Sequence, residues 1–97
     1  MRALLEVELD TATSNKLISD GAMAEGIQQV LAQLKPEAAY FLTRNGRRGM
    51  VMVVDVADEA SLPSIAEPFW DRLNATVDLH ICMNADELAE GLKRLGR

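Results

Sequence analysis

Apolar and polar positions alternate, then change period, then alternate again along this chain. Ala3, Leu5, Val7 and Leu9 interleave with Arg2, Leu4, Glu6 and Glu8, the two-residue period of a strand with one face toward a core. The Asp10-Thr11-Ala12-Thr13-Ser14-Asn15 stretch is rich in side chains that accept hydrogen bonds from the first amides of a helix. Leu17, Ile18, Met23, Ile27, Val30, Leu31 and Leu34 then recur near helical spacing. Asp20-Gly21 is a point of interruption or bending, and Lys35-Pro36 a stop.

Two strands follow, Ala38 to Arg44 and Gly49 to Val56, and Asn45-Gly46 between them tolerates the positive φ angles of a tight hairpin. A second helix is predicted from Ser61 to Asn74, with Ser61 as cap, Pro63 in the first turn, and Leu62, Ile65, Ala66, Phe69 and Leu73 on one face. Pro68 removes an interior amide, so a kink or break is expected after Glu67. Thr76 to Met83 reads as the last strand. Asn84 and Glu87 form a capping-box pair opening a C-terminal helix with Leu88, Leu92 and Leu95.

That order is β-α-β-β-α-β plus a helix, an α+β class chain expected to form a ferredoxin-like antiparallel sheet of strand order 4-1-3-2. Helices cover one face of such a sheet, and the other face normally turns polar where it meets water. Here it does not. Met50-Val51-Met52-Val53-Val54 and Ala39-Tyr40-Phe41-Leu42 are apolar in both parities, so a second copy packed on the open face is expected. The competing arrangement is a monomer whose C-terminal helix folds back over its own sheet; in the dimer, that helix is free to clasp the partner instead.

Ninety-seven residues make one domain, 1–97, with no linker or low-complexity tract, ordered apart from fraying at the C-terminus. A net charge of −5 disfavours broad contact with nucleic-acid phosphates. Arg44, Arg47 and Arg48 are the one basic cluster, suited to a solvated turn or, with Arg48 foremost, to holding a small anion. Cys82 is the only cysteine, the N-terminus turns polar too soon for a signal segment, and no stretch reaches transmembrane length. A cytoplasmic protein, off the membrane, is the expectation.

The chain resembles the dimeric α/β-barrel superfamily, in which ferredoxin-like subunits pair sheet against sheet, as in muconolactone isomerases and antibiotic-biosynthesis monooxygenases. Lys35-Pro36-Glu37-Ala38-Ala39-Tyr40-Phe41, Ile65-Ala66-Glu67-Pro68 and Met83-Asn84-Ala85-Asp86-Glu87-Leu88 are similar to segments of small bacterial, notably actinobacterial, proteins of this plan. The resemblance covers nearly the full length and implies the fold and the homodimer. It carries over no catalytic residues, since no set of positions matches either enzyme's active site.

Strand parity groups Leu4, Glu6 and Glu8 on the open face with Asp78, His80 and Cys82 of the neighbouring last strand. Glu6 beside His80, the only histidine, is the most credible acid–base couple, with Tyr40 on the same face to orient a ligand or polarise a carbonyl. The bland alternative leaves the carboxylates solvated at the rim and His80 merely interfacial. Glu67, Pro68, Phe69 and Trp70 suggest a second feature, a cleft between a distorted helix and the sheet with Trp70 as its aromatic wall, unless the aromatics only fill the core edge. One His and one Cys are too few for a metal centre, Cys82 reads as a small buried hydrophobe, and no cofactor is called for. Two functions follow: a small-molecule-binding dimer, with cofactor-independent isomerase- or monooxygenase-like chemistry open to it, or a non-catalytic dimerisation or protein-interaction module.

Overall fold

A computed structural model describes residues 1–96, so the expected fraying at Arg97 lies outside the described residues. Strand β1 (Arg2–Glu8) has strictly alternating burial, with Ala3, Leu5 and Val7 sealed in the core. Asp10 caps the next helix, α1 (Thr11–Ser19), accepting from the Thr13 amide at 3.0 Å and its hydroxyl at 2.8 Å. Those two bonds hold the Asp10 carboxyl below its ordinary value, the amide contributing most. The expected interruption at Asp20-Gly21 is a full break. Gly21 takes φ +71°, and a separate helix, α2 (Met23–Leu34), follows.

Lys35 ends α2 in a left-handed conformation with its amide on the Leu31 carbonyl, and Pro36 then forbids continuation. Strands β2 (Ala38–Arg44) and β3 (Arg47–Asp55) are joined by Asn45 at φ 51° and Gly46 at φ 76°, the two positive angles a tight hairpin turn requires. Ser61 does not cap the next helix as expected. Its hydroxyl donates to Asp58 at 2.8 Å, because a 3₁₀ turn (Glu59–Ser61) runs directly into α3 (Leu62–Leu73).

Of the kink or break expected after Glu67, the break does not occur: α3 runs through Pro68 as one helix. The amide that Pro68 lacks would have bonded the carbonyl of Ser64, which lies on the exposed side of the helix where water can satisfy it. Asn74, left-handed at φ 48°, closes α3, and β4 (Thr76–Ile81) follows. The last helix, α4 (Ala85–Arg94), opens with the full capping box: Asn84 Oδ1 accepts from the Glu87 amide at 2.8 Å and Glu87 Oε1 from the Asn84 amide at 2.9 Å.

The four strands form one antiparallel sheet in the order β2-β3-β1-β4, which is the expected 4-1-3-2 and is compatible with a ferredoxin-like sheet. Leu5, Val7, Met50, Met52 and Val54 meet Ile65 and Phe69 of α3 in the core, and Met23, Ile27, Val30 and Leu31 of α2 pack at its margin. All helical packing is on that side.

Helix α4 takes no part in it. Every residue of α4 except Gly91 is exposed, so the helix does not fold over its own sheet. The molecule is correspondingly long, 55 × 27 × 17 Å, with a radius of gyration of 15.5 Å. A compact chain of this length would have about 12.5 Å.

Candidate functional site

Register places the open face residue by residue. Tyr40, Val51, Glu6 and Asp78 form one row across the four strands, and Ala38, Val53, Leu4 and His80 form the next. A third row holds Leu42, Gly49, Glu8 and Thr76. The face therefore divides. Toward β2 and β3 it is apolar, from Ala38, Tyr40, Leu42, Val51 and Val53; toward β1 and β4 it carries Glu6, Glu8, Asp78 and His80.

Arg44 ties the two halves together. Its Nη1 donates to Glu6 Oε2 at 2.6 Å and its Nη2 stands 3.9 Å from Asp78 Oδ2, so one side chain spans from β2 to β4. Gly49 makes the crossing possible: a Cβ there would stand 3.2 Å from Arg44 Cγ and 2.8 Å from the Val7 carbonyl. Glu8, beside Glu6 on β1, accepts from Asn45 Nδ2 at 2.8 Å and lies 3.7 Å from Arg47 Nη1. The two half-buried carboxylates of β1 are thus occupied by the hairpin, and Arg44 Nε is buried without an acceptor among the described residues.

The expected couple of Glu6 and His80 shares this face but not a register position. Asp78 stands opposite Glu6 and Leu4 opposite His80, so the pair lie on a diagonal, and no hydrogen bond joins them among the described residues. Tyr40 is 69% exposed on the outermost strand, two strand spacings, or about 10 Å, from Glu6. Cys82 is half-buried and reaches no core, its amide bonded to the Arg2 carbonyl at 3.1 Å.

The other site candidates lie elsewhere. Arg48 turns toward α1, donating to Ser14 Oγ at 2.7 Å and Asn15 Oδ1 at 2.8 Å. Glu67 and Trp70 are exposed on α3, in the helical layer behind the sheet. A cleft does open at Pro68, with a volume of about 300 Å³, but it lies between α2 and α3 rather than between helix and sheet. Leu17, Met23, Ile27, Val30, Pro68 and Leu73 line it, and Trp70 does not.

What sequence reasoning missed is Arg44 as the organiser of the open face. Its signal was present in parity, since Arg44 shares a face with Tyr40 and Leu42, and in the lone glycine at position 49 among bulky β3 residues. Among the described residues no three His, Cys, Asp or Glu side chains gather as metal ligands, and no helix is long and apolar enough to cross a membrane. No known family model matches the chain, and no curated protein matches its sequence.

Proposed function

We propose that this chain is an assembly module of the dimeric α/β-barrel kind, a homodimer whose subunits pair open sheet face to open sheet face, working in the cytoplasm. The observation that supports it is the apolar half of that face: Tyr40, Leu42, Val51, Val53 and Leu4 stand together where no helix of the subunit covers them. A contiguous patch of several hundred square ångströms is of the size that marks an interface. Sedimentation equilibrium at micromolar concentration tests the reading. Twice the monomer mass is expected, and a lone monomer would overturn it.

A second reading, that the seam also binds a small aromatic or carbonyl-containing molecule, has one specific observation in its favour. The face carries polar groups that adhesion alone does not need: a buried Arg44 Nε, without a partner among the described residues, and the exposed His80. Within one subunit His80 and Tyr40 stand on opposite edges of the sheet. A two-fold axis along the strands would lay β4 of one subunit over β2 of the other, bringing His80 near Tyr40 of the partner subunit.

In that seam His80 would act as acid or base without a cofactor, Tyr40 would orient the ligand, and the Arg44 bridge would fix Glu6, which gives the isomerase- or monooxygenase-like chemistry its groups. The two readings differ in a thermal-shift screen of metabolites. A ligand of the seam is expected to raise the melting temperature of the native chain and of Trp70→Ala but not of His80→Ala; equal shifts in all three would remove the site from the seam.

A further inference from the structure

We infer that Arg2 is an ionic clamp that sets the direction of α4, which makes the last helix a hinged arm whose position follows salt concentration. The device is separate from the pairing of open sheet faces and does not depend on it.

The last backbone bond between the sheet and the C-terminal segment, among the described residues, runs from the Cys82 amide to the Arg2 carbonyl at 3.1 Å. Met83 and Asn84 follow without regular structure, and α4 begins at Ala85. Nothing apolar fixes the helix beyond that joint. Leu88, Leu92 and Leu95 are all exposed, and the ion pair of Glu90 with Arg94 at 3.8 Å stays within the helix. Each residue of the joint has two soft backbone dihedrals, enough freedom to swing a helix about 15 Å long through a wide arc.

One side chain spans the joint. Among the described residues, the bond from Arg2 Nη1 to Glu87 Oε1 is the only hydrogen bond or ion pair that α4 makes with the body of the subunit. The sheet side of this grip is rigid. Arg2 lies in β1 opposite Asp55, and its Nε donates to Glu37 Oε1 at 2.9 Å, while the Glu37 amide is anchored on the Val53 carbonyl at 2.8 Å. On the arm side Glu87 Oε1 also accepts from the Asn84 amide at 2.9 Å, so Arg2 holds the first turn through its capping box. One planar guanidinium thus takes a carboxylate on either side, a geometry that suits arginine's fork of donors.

Exposure makes the grip sensitive to salt. The Arg2 side chain is 25% exposed, but Glu37 and Glu87 are 59% and 48% exposed, and ion pairs in such positions are weak and screened. Between ~0.1 M and ~1 M salt the screening length falls from about 10 Å to about 3 Å, so the balance between clamped and free arm shifts within that range. A buried apolar contact would not loosen this way. Arg2 shares the parity of Leu4 and Glu6, and the clamp therefore holds the start of α4 at the rim of the open face.

Double electron–electron resonance tests the clamp on the full chain, with spin labels at Asp71→Cys on α3 and Lys93→Cys on α4 in a Cys82→Ser background. Dilution with unlabelled protein restricts the reading to distances within one chain. One narrow distance distribution is expected at ~0.1 M salt and one about twofold wider at ~1 M. Arg2→Met, and separately Glu87→Gln, which keeps an oxygen for the Asn84 amide, are expected to give the wide distribution already at low salt. Lys16→Met, which removes the Lys16–Asp20 ion pair of α1, is expected to change nothing. The helical circular-dichroism signal should be the same throughout, because α4 has no packing to lose. A distribution that stays narrow in Arg2→Met or at high salt, one already wide in the unmutated clamp at low salt, or widening accompanied by loss of helix would each overturn the clamp.

Discussion

Replacing Val51 with lysine should raise the dimer dissociation constant at least a hundredfold while leaving the subunit folded. Val51 sits in the middle of the open face, between Tyr40 and Glu6 in its row, with its side chain directed away from the core. Its strand neighbours Met50 and Met52 face the other way and are sealed. An ammonium there costs the isolated subunit little, because water reaches it. In a face-to-face dimer it must be desolvated or push the sheets apart, and two-fold symmetry supplies a second lysine from the opposite subunit. Stranding an unpaired charge in an interface costs about 3–5 kcal/mol, and each 1.4 kcal/mol is a factor of ten. Sedimentation equilibrium of Val51→Lys beside Glu59→Lys, an exposed change in the 3₁₀ turn, separates a local from a general charge effect. Unchanged association of Val51→Lys would mean that the subunits do not meet through this face.

The same face shows how far a sequence can be read. Parity along β1 and β4 was legible because it is a property of each strand alone: it placed Glu6, Asp78 and His80 on one side before any partner was known. Register was not. Sliding β4 by two residues preserves every inside and outside assignment yet changes whether Glu6 faces Asp78 or His80, and nothing local in the sequence distinguishes the two. The capping box at Asn84 and the Asn45-Gly46 turn were legible for a similar reason, each being decided within four residues.

Long-range consequences were hidden. Arg44 reaching Glu6 depends on three strands lying side by side, with Gly49 clearing the path. Pro68 looked like a helix breaker by its chemistry, but its cost depends on whether the orphaned Ser64 carbonyl meets water or protein, which only the docked helix decides. The cleft moved for the same reason, since an unbroken α3 stays on the sheet and leaves its gap on the α2 side. Glu67 and Trp70, read as neighbours of a site, face outward from that docked helix.

Phase along α3 sets the second large effect. Ile65, Ala66 and Phe69 are buried, and Phe69 is fully enclosed as one of the largest buried side chains. Trp70, one residue on, is turned about 100° around the helix and remains 44% exposed. Removing a buried Phe side chain forfeits its transfer free energy and leaves a cavity that the surroundings fill only in part, so Phe69→Ala should cost about 3–5 kcal/mol. A domain this small has about 5–15 kcal/mol in total, and each kcal/mol moves its melting temperature by about 4–8 °C. The expected drop is therefore about 12–40 °C, enough to leave a marginal subunit partly unfolded at growth temperature. Trp70→Ala removes a larger ring but should cost less than half as much, because much of that ring already contacts water. Urea titration of both variants at one fixed protein concentration checks the ordering, the fixed concentration keeping any association from shifting the midpoints. Equal losses would place Trp70 in the core and require α3 to be rotated on the sheet, which would also move Pro68 away from the cleft beside α2.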